Sequence, residues 1–233
     1  MVRQAHHERG EHIPFALSLS KGGYAIFNYL STRAFGSRHV MLNSPSLLVV
    51  ISGPSGVGKD SVLEHVKRAH EGWHFVVTAT TRPKRPGERD GVDYIFMEPA
   101  RFQALLAQDG FLEYAKVYGR YYGVPRGEVE EALRSGKDVI VKTDVQGACT
   151  IRAKLPDALL IFLAPPDMGE LERRLKQRES ETAEDLHQRM ETARQEMDRQ
   201  GEFDHVVVNY SGHLEETVAE IEEIIVREKA KRA

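Results

Sequence analysis

The stretch SLLVVISGPSGVGKDSVLEHV, residues 46–66, decides how this chain folds. Its first seven residues, SLLVVIS (46–52), are a continuous apolar, β-branched run, the pattern of a strand buried on both faces of a parallel sheet. GPSGVGKDS (53–61) follows, with Gly53, four residues, Gly58 and Lys59 in phosphate-loop spacing. The next segment puts Val62, Leu63 and Val66 on one helical face. Strand, glycine loop and helix together are the context that this spacing requires. Glycines let backbone N–H groups converge on phosphate oxygens, and a helix N-terminus favours an anion. Lys59 adds a point charge able to follow a transferring phosphoryl group. Gly53, Pro54, Ser55, Gly56, Val57, Gly58, Lys59, Asp60 and Ser61 therefore form the candidate phosphate site.

The last motif position is unusual. A Ser or Thr hydroxyl, a Mg²⁺ ligand, belongs where Asp60 stands. A carboxylate is also a hard oxygen donor, so Asp60 is the candidate Mg²⁺ ligand, directly or through water. The competing reading is an acidic residue favoured at a helix N-terminus. Ser61 does not replace the hydroxyl, because one helical step rotates it by ~100°.

Downstream, strand and helix patterns alternate. WHFVVTAT (73–80) reads as a second strand, and TRPKRPGERDG (81–91) as a basic turn. YIFM, PARFQALLAQDG and FLEYAKVYG (94–119) read as strand, helix and strand, a small α+β insert. EVEEALRSGK (128–137) is a helix closed by Gly136, DVIVKTD (138–144) a strand, and VQGACTIRAKL the start of a helix. ALLIFLAPP (158–166) is the most hydrophobic strand; DMGELERRLKQR and AEDLHQRMETARQEMDRQ are charged helices. HVVVN (205–209) is a last strand, and Leu214, Val218, Ile221 and Ile225 mark a closing amphipathic helix. The expected fold is α/β, a parallel sheet covered by helices on both faces.

Composition narrows the function classes. The 233 residues suit one α/β domain, and a net charge of -3 supplies no basic field for nucleic acid. The single cysteine, Cys149, suits a reducing compartment, and no apolar run reaches the ~20 residues of a membrane span. A cytoplasmic protein is expected. Cys149 reads as a small core residue, Trp73 as packing, and the ten histidines show no ligand spacing. Residues 1–44 differ: between His12 and Lys59 there is no Asp or Glu and no clear period. A transit peptide, a secretory signal and a non-native or disordered leader compete there; the leader is favoured, with a natural start at Met41.

TATTRPKRPGERDGVDY (78–94) places Arg82 and Arg85 three residues apart, ahead of Tyr94. Two guanidinium forks this close suit a phosphate dianion, although a basic turn is also ordinary solvated surface. GPSGVGK, TTRPKRPGE-x-DG-x-DY, FLEYAKVYG-x-YYG, TDVQGA and FLAPP…RRLKQRE-x-ET together, in this order and from about Ser46 onward, resemble guanylate kinase. The resemblance implies a P-loop NTPase-type core over 45–233, a GMP-binding insert at about 81–124 and a helical lid at about 174–192. It implies transfer of a phosphoryl group from MgATP to GMP, and dGMP as a secondary substrate.

The same resemblance implies individual roles. Arg82, Arg85, Tyr94 and Tyr122 would hold the GMP phosphate, Glu113 the guanine N1–H and amine, and Thr78 the base through its hydroxyl. Asp144 would lie near guanine and the metal-phosphate region, and Asn209 near the adenine of ATP. Lys59, Arg82 and the lid arginines Arg174, Arg178 and Arg189 would act on the transferring phosphates. Chemistry supports Glu113: a carboxylate only accepts, and guanine offers two adjacent donors where adenine has none. The family pattern is broken at Asp60, at Val124, where a hydroxyl is usual, and at Lys142, which replaces a common acid. Lys142 could pair with Asp60 or Asp144, or bind phosphate. RRLKQRESETAEDLHQR (173–189) reads either as a solvated helix or as a lid closing over ATP; the lid is favoured. The rival class is a scaffold module binding phosphorylated peptides in the same cleft. Such modules typically lose the loop glycines or lysine that this chain keeps.

Overall fold

The computed structural model describes residues 46–117, 119–176 and 183–232. The leader reading of 1–44, Met41 and Arg178 lie outside them.

Apolar, β-branched runs build the main sheet. Strand β1 (Leu48–Ser52) lies at its centre, every residue buried, and helix α1 (Lys59–Ala69) follows the glycine loop. Then come β2 (His74–Phe75), β3 (Ala79–Thr80), β4 (Ile95–Phe96), α2 (Pro99–Ala107), β5 (Phe111–Val117) and β6 (Arg120–Pro125). The rest is α3 (Arg126–Arg134), β7 (Val139–Lys142), α4 (Val145–Lys154), β8 (Leu159–Ala164), α5 (Met168–Lys176), α6 (Ala183–Asp198), β9 (His205–Val208) and α7 (Leu214–Ala230). The five-stranded sheet runs β2-β7-β1-β8-β9, and all its described pairings are parallel.

The two-residue alternation of a strand sends side chains to opposite faces. Val49, Ile51, Ile161 and Leu163 join Val62 and Val66 of α1, Leu171 and Leu175 of α5 and Ile221 and Ile225 of α7 in one core. Leu48, Val50, Val141, Leu160 and Phe162 join α3 and α4 in the other. The helices on both faces are thus required by strands with no polar side. Among the described residues, no helix is long and apolar enough to cross a membrane.

A second sheet, ordered β4-β3-β6-β5, packs with α2 around Ala79, Phe102 and Phe111. Its boundaries correct two expectations. WHFVVTAT is not one strand: β2 lies on the edge of the main sheet and β3 in the second. Between them, the Val77 N–H donates to the Glu128 carboxylate (3.2 Å) and finds no ladder partner, so the chain leaves one sheet for the other. Residues 120–125 form a strand absent from the sequence reading, because Gly119, at φ 76, closes a tight hairpin that pairs Val117 with Arg120. Cys149 is also not a core residue. It is half-buried in α4, donating to Glu202 and accepting from Arg199, both at 3.1 Å. Burial and the Glu202 carboxylate push its thiol up to about 11. Trp73 packs as expected, its ring stacked on His70 at 3.9 Å between centroids.

Candidate active site

The glycine loop leaves β1 at Gly53, φ 141, where an added Cβ would lie 2.1 Å from the Leu163 carbonyl oxygen. Only glycine lets the loop pass that close to β8. Gly58, φ 101, opens α1 with no side-chain cap, so the first-turn N–H groups are left for an anion. The Lys59 ammonium folds back to donate to the carbonyls of Gly53 (2.6 Å) and Pro54 (3.0 Å). Burial lowers its pKa; the carboxylates of Glu196, Asp60 and Asp144 oppose that fall, and Lys142 adds to it.

The back of the loop is clamped. The Val57 carbonyl accepts from Asn209 Nδ2 (2.8 Å) and from Arg174 (3.0 Å). Arg174 also donates to the Asn209 carbonyl (2.8 Å), to Ser211 (3.1 Å) and to Glu170 (2.8 Å). Asn209 Oδ1 accepts from Thr217 (3.2 Å), so both ends of its amide are engaged. Arg174 is therefore tied to the loop. Arg189 lies half-buried on α6.

At the start of α1, Asp60 is ion-paired with Lys142, which extends from the end of β7. Of the three partners open to Lys142 in the sequence, the structure places it on Asp60. Asp60 stays largely exposed, with its side chain 78% accessible. Among the described residues, no cluster of three or more His, Cys, Asp or Glu side chains could hold a metal by itself. Mg²⁺ is usually held by one or two carboxylates plus water and phosphate oxygens, and the hard, accessible Asp60 carboxylate fits that donor set.

A second cluster forms where the small sheet faces the core. Arg82 grips Glu88 in a two-point pair (2.6 and 3.0 Å), donates to the Pro83 carbonyl (2.8 Å) and lies over the rings of Tyr94 (5.2 Å) and Phe96. Tyr94 and Tyr122 meet edge to face at 6.1 Å. Glu88 also accepts the Arg85 backbone N–H (2.7 Å), while the Arg85 residue is exposed. Arg82, Tyr94 and Tyr122 are thus brought together, and Arg85 joins them through its backbone. Glu88 itself escaped the sequence reading, although it lies inside the quoted motif.

Glu113, on β5, is buried and accepts from the Thr143 hydroxyl at 3.0 Å. Burial, then the Asp144 carboxylate, raises its pKa to about 8. Gly147 passes so close that an added Cβ would lie 3.0 Å from the Glu113 carboxylate. Val124 pairs with Glu113 across the β5–β6 ladder and is fully buried in the core. Thr78 sits half-buried just before β3, its carbonyl accepting the Ile95 N–H. Asp144 caps α4 by accepting the Gly147 N–H (2.7 Å). Its charge acts on Glu113, on Glu196 and on Lys59, so Asp144 stands between the two clusters.

Asp144 thus links the phosphate loop to the buried Glu113, and Glu113 and Tyr122 lie on paired strands of the small sheet. Residues 46–228 match the family model described as guanylate kinase. The chain belongs to the guanylate kinase family. It is 46% identical over 186 residues to guanylate kinase 2, chloroplastic/mitochondrial, of Oryza sativa subsp. japonica. That match covers 79% of this chain and 65% of the rice protein. Guanylate kinase of Clostridium perfringens (strain SM101 / Type A) is 42% identical over 189 residues, 81% of this chain and 87% of that one. The crystal structure of guanylate kinase from Anaplasma phagocytophilum superposes with a TM-score of 0.62 at 31% identity, covering 79% of this chain and 86% of that one. As a guanylate kinase family member, the protein is a nucleoside monophosphate kinase, a transferase.

Proposed function

We propose that the protein transfers the γ-phosphoryl group of ATP to GMP, and to dGMP, giving ADP and the guanosine diphosphate by direct in-line displacement. The observation that carries the choice of base is Glu113. Its ionised carboxylate offers two acceptors to guanine N1–H and the 2-amino group, and adenine would leave that buried charge unmatched. Thr78 and Asp144 border the base; Val124 adds an apolar wall where a hydroxyl would be usual.

The ATP phosphates lie along 53–61, over the uncapped N-terminus of α1. Lys59 moves from the Gly53 and Pro54 carbonyls to the phosphates. Asn209 acts through the loop it supports. Arg82 carries five N–H donors and makes three bonds, two to Glu88 and one to the Pro83 carbonyl, so it can still grip the GMP phosphate together with Arg85, Tyr94 and Tyr122. Asp60 would hold Mg²⁺, which when bound with ATP neutralises phosphate charge. Arg174, Arg178 and Arg189 add positive charge from the segment spanning about 174–192, which we read as a lid that excludes water. The acceptor is a phosphate oxygen of GMP, already anionic, so no side chain need act as nucleophile or general base.

We place this step of purine nucleotide metabolism in the cytoplasm, on the single cysteine of the chain. ADP release from ATP and Mg²⁺, with GMP, dGMP, AMP and UMP as separate acceptors, tests the reading. Turnover confined to the guanine nucleotides is expected. Turnover with AMP or UMP at comparable rates overturns the role of Glu113, and none with any acceptor overturns the kinase reading.

A further inference from the structure

Thr143 joins the two sheets through a single residue. It follows β7, and its backbone N–H donates to the Ile51 carbonyl of β1 (3.3 Å). Its hydroxyl donates to Oε1 of Glu113 on β5 (3.0 Å). Strand β1 is central in the main sheet, and β5 belongs to the small one. The buried carboxylate is therefore tied to the strand that leads into the glycine loop.

The last torsion of a glutamate is broad, so its carboxylate turns about its own axis unless a partner holds it. Val124, opposite Glu113 in the β5–β6 ladder, is buried and apolar and has no side-chain donor to offer. Gly147 has no side chain at all. A Cβ added there would lie 2.1 Å from the Thr143 hydroxyl oxygen and 3.0 Å from Glu113 Oε2. Glycine weakens a helix relative to alanine, and in the first turn of α4 its bareness leaves room for the threonine–glutamate pair. An ionised carboxylate has about four acceptor sites. Thr143 takes one, and guanine N1–H and the 2-amino group need two, one on each oxygen. A donor anchored in the main sheet fixes the plane in which the remaining sites point. The carboxylate is then ordered before GMP arrives, and binding does not bear that entropy.

We propose that Thr143 is the positioning residue of base recognition, its hydroxyl holding Glu113 so that both carboxylate oxygens meet the two donors of guanine. It thereby sets the preference for GMP over a purine nucleotide that lacks the 2-amino group. The proposal rests on the reading of Glu113 as the acceptor of guanine. Thr143 acts through Glu113 and touches no substrate atom. A freed carboxylate still turns to accept one N–H, but it loses the alignment of two at once. Removing the hydroxyl therefore weakens GMP, with two donors on that edge, more than IMP, with N1–H alone.

The test is the Kd of GMP and of IMP, measured by titration calorimetry on the full chain for wild type, Thr143→Val and Thr143→Ser. KM for ATP and Tm are recorded alongside. Thr143→Val keeps the shape and removes the hydroxyl. It is expected to weaken GMP about tenfold and IMP no more than about twofold, narrowing the preference about fivefold. KM for ATP should stay within about twofold. Thr143→Ser restores the hydroxyl and should return the ratio of the two Kd values to within about twofold of wild type. A structural role predicts a lower Tm with that ratio unmoved, and this result overturns the proposal. A serine variant as indiscriminate as the valine one overturns it too. Should Thr143→Val fail to fold, Thr143→Ala is read in its place; a narrowed ratio is expected, and an unchanged one overturns the idea. Wild type separates this inference from the reading beneath it. A wild type that binds GMP no more tightly than IMP sinks the role of Glu113, whereas one that prefers GMP, beside an unmoved Thr143→Val, sinks only the role of Thr143.

Discussion

Lys142, at the end of β7, is ion-paired with Asp60, at the first turn of α1. The carboxylate stands at the motif position of a metal-binding hydroxyl, and the ammonium is its neighbour in space. Both side chains are partly or largely exposed, so the pair adds little to stability, ~0–1 kcal/mol. Its consequence is for the metal. Asp60→Asn should raise the Mg²⁺ concentration for half-maximal activity severalfold, whereas Lys142→Ala should lower it by removing a cation that competes for the carboxylate. Mg²⁺ titrations of both variants and of the double mutant check this. Shifts of the same sign, or strictly additive effects, would remove Asp60 from the metal site.

Glu113 links guanine recognition to pH. Its folded pKa of about 8 lies above the unfolded value, so ionisation costs the unliganded protein stability. The cost is absent below the unfolded carboxylate pKa, grows between there and about pH 8, and is constant above. Glu113→Gln should therefore raise Tm at pH 8–9 and leave it nearly unchanged near pH 4. The same variant should lose ~100-fold or more in kcat/KM for GMP, since an amide N–H₂ opposes the donors of guanine. In wild type, kcat/KM for GMP should fall on the acid side with an apparent pKa near 8.

Glu88 holds the arginine expected on the GMP phosphate. The Arg82 pair is two-pronged, and the Arg85 amide bonds the same carboxylate. Glu88→Gln should raise KM for GMP about tenfold, with KM for ATP unaffected. Arg82→Lys, which keeps charge but loses the fork, should cost more, ~100-fold in kcat/KM for GMP. Steady-state kinetics with each substrate varied in turn decide it.

Arg174 is bonded to Val57, Asn209, Ser211 and Glu170. Arg174→Ala should leave the Val57 carbonyl with one donor in place of two, lower stability by ~1–3 kcal/mol and raise KM for ATP. A purely transition-state role for this side chain predicts an intact Tm and a loss confined to kcat. Thermal denaturation beside ATP kinetics tells the two apart.

Cys149 should be a sluggish thiol, because its pKa is pushed up to about 11. Alkylation by iodoacetamide at pH 8 should run ~100-fold slower than for a free cysteine. Cys149→Ser should retain activity within about twofold. Rapid alkylation accompanied by loss of turnover would contradict this placement.

Much of this protein was legible along the chain itself. The run at 46–52, the spacing of Gly53, Gly58 and Lys59, and the apolar period of the closing helix each report a local conformation through neighbouring residues. They were enough for the parallel sheet and the glycine loop; the family resemblance needed five motifs in order along the chain. Tertiary structure alone decided which charges meet. Lys142 and Asp60 are 82 residues apart in sequence, and Arg174 and Val57 are 117 apart. The division of WHFVVTAT between two sheets has the same origin, since the Glu128 carboxylate that takes the Val77 N–H comes from α3. Periodicity and motif spacing act through near neighbours. Partners of buried charges depend on desolvation and long-range packing, which exist only once the sheet and its helices have assembled.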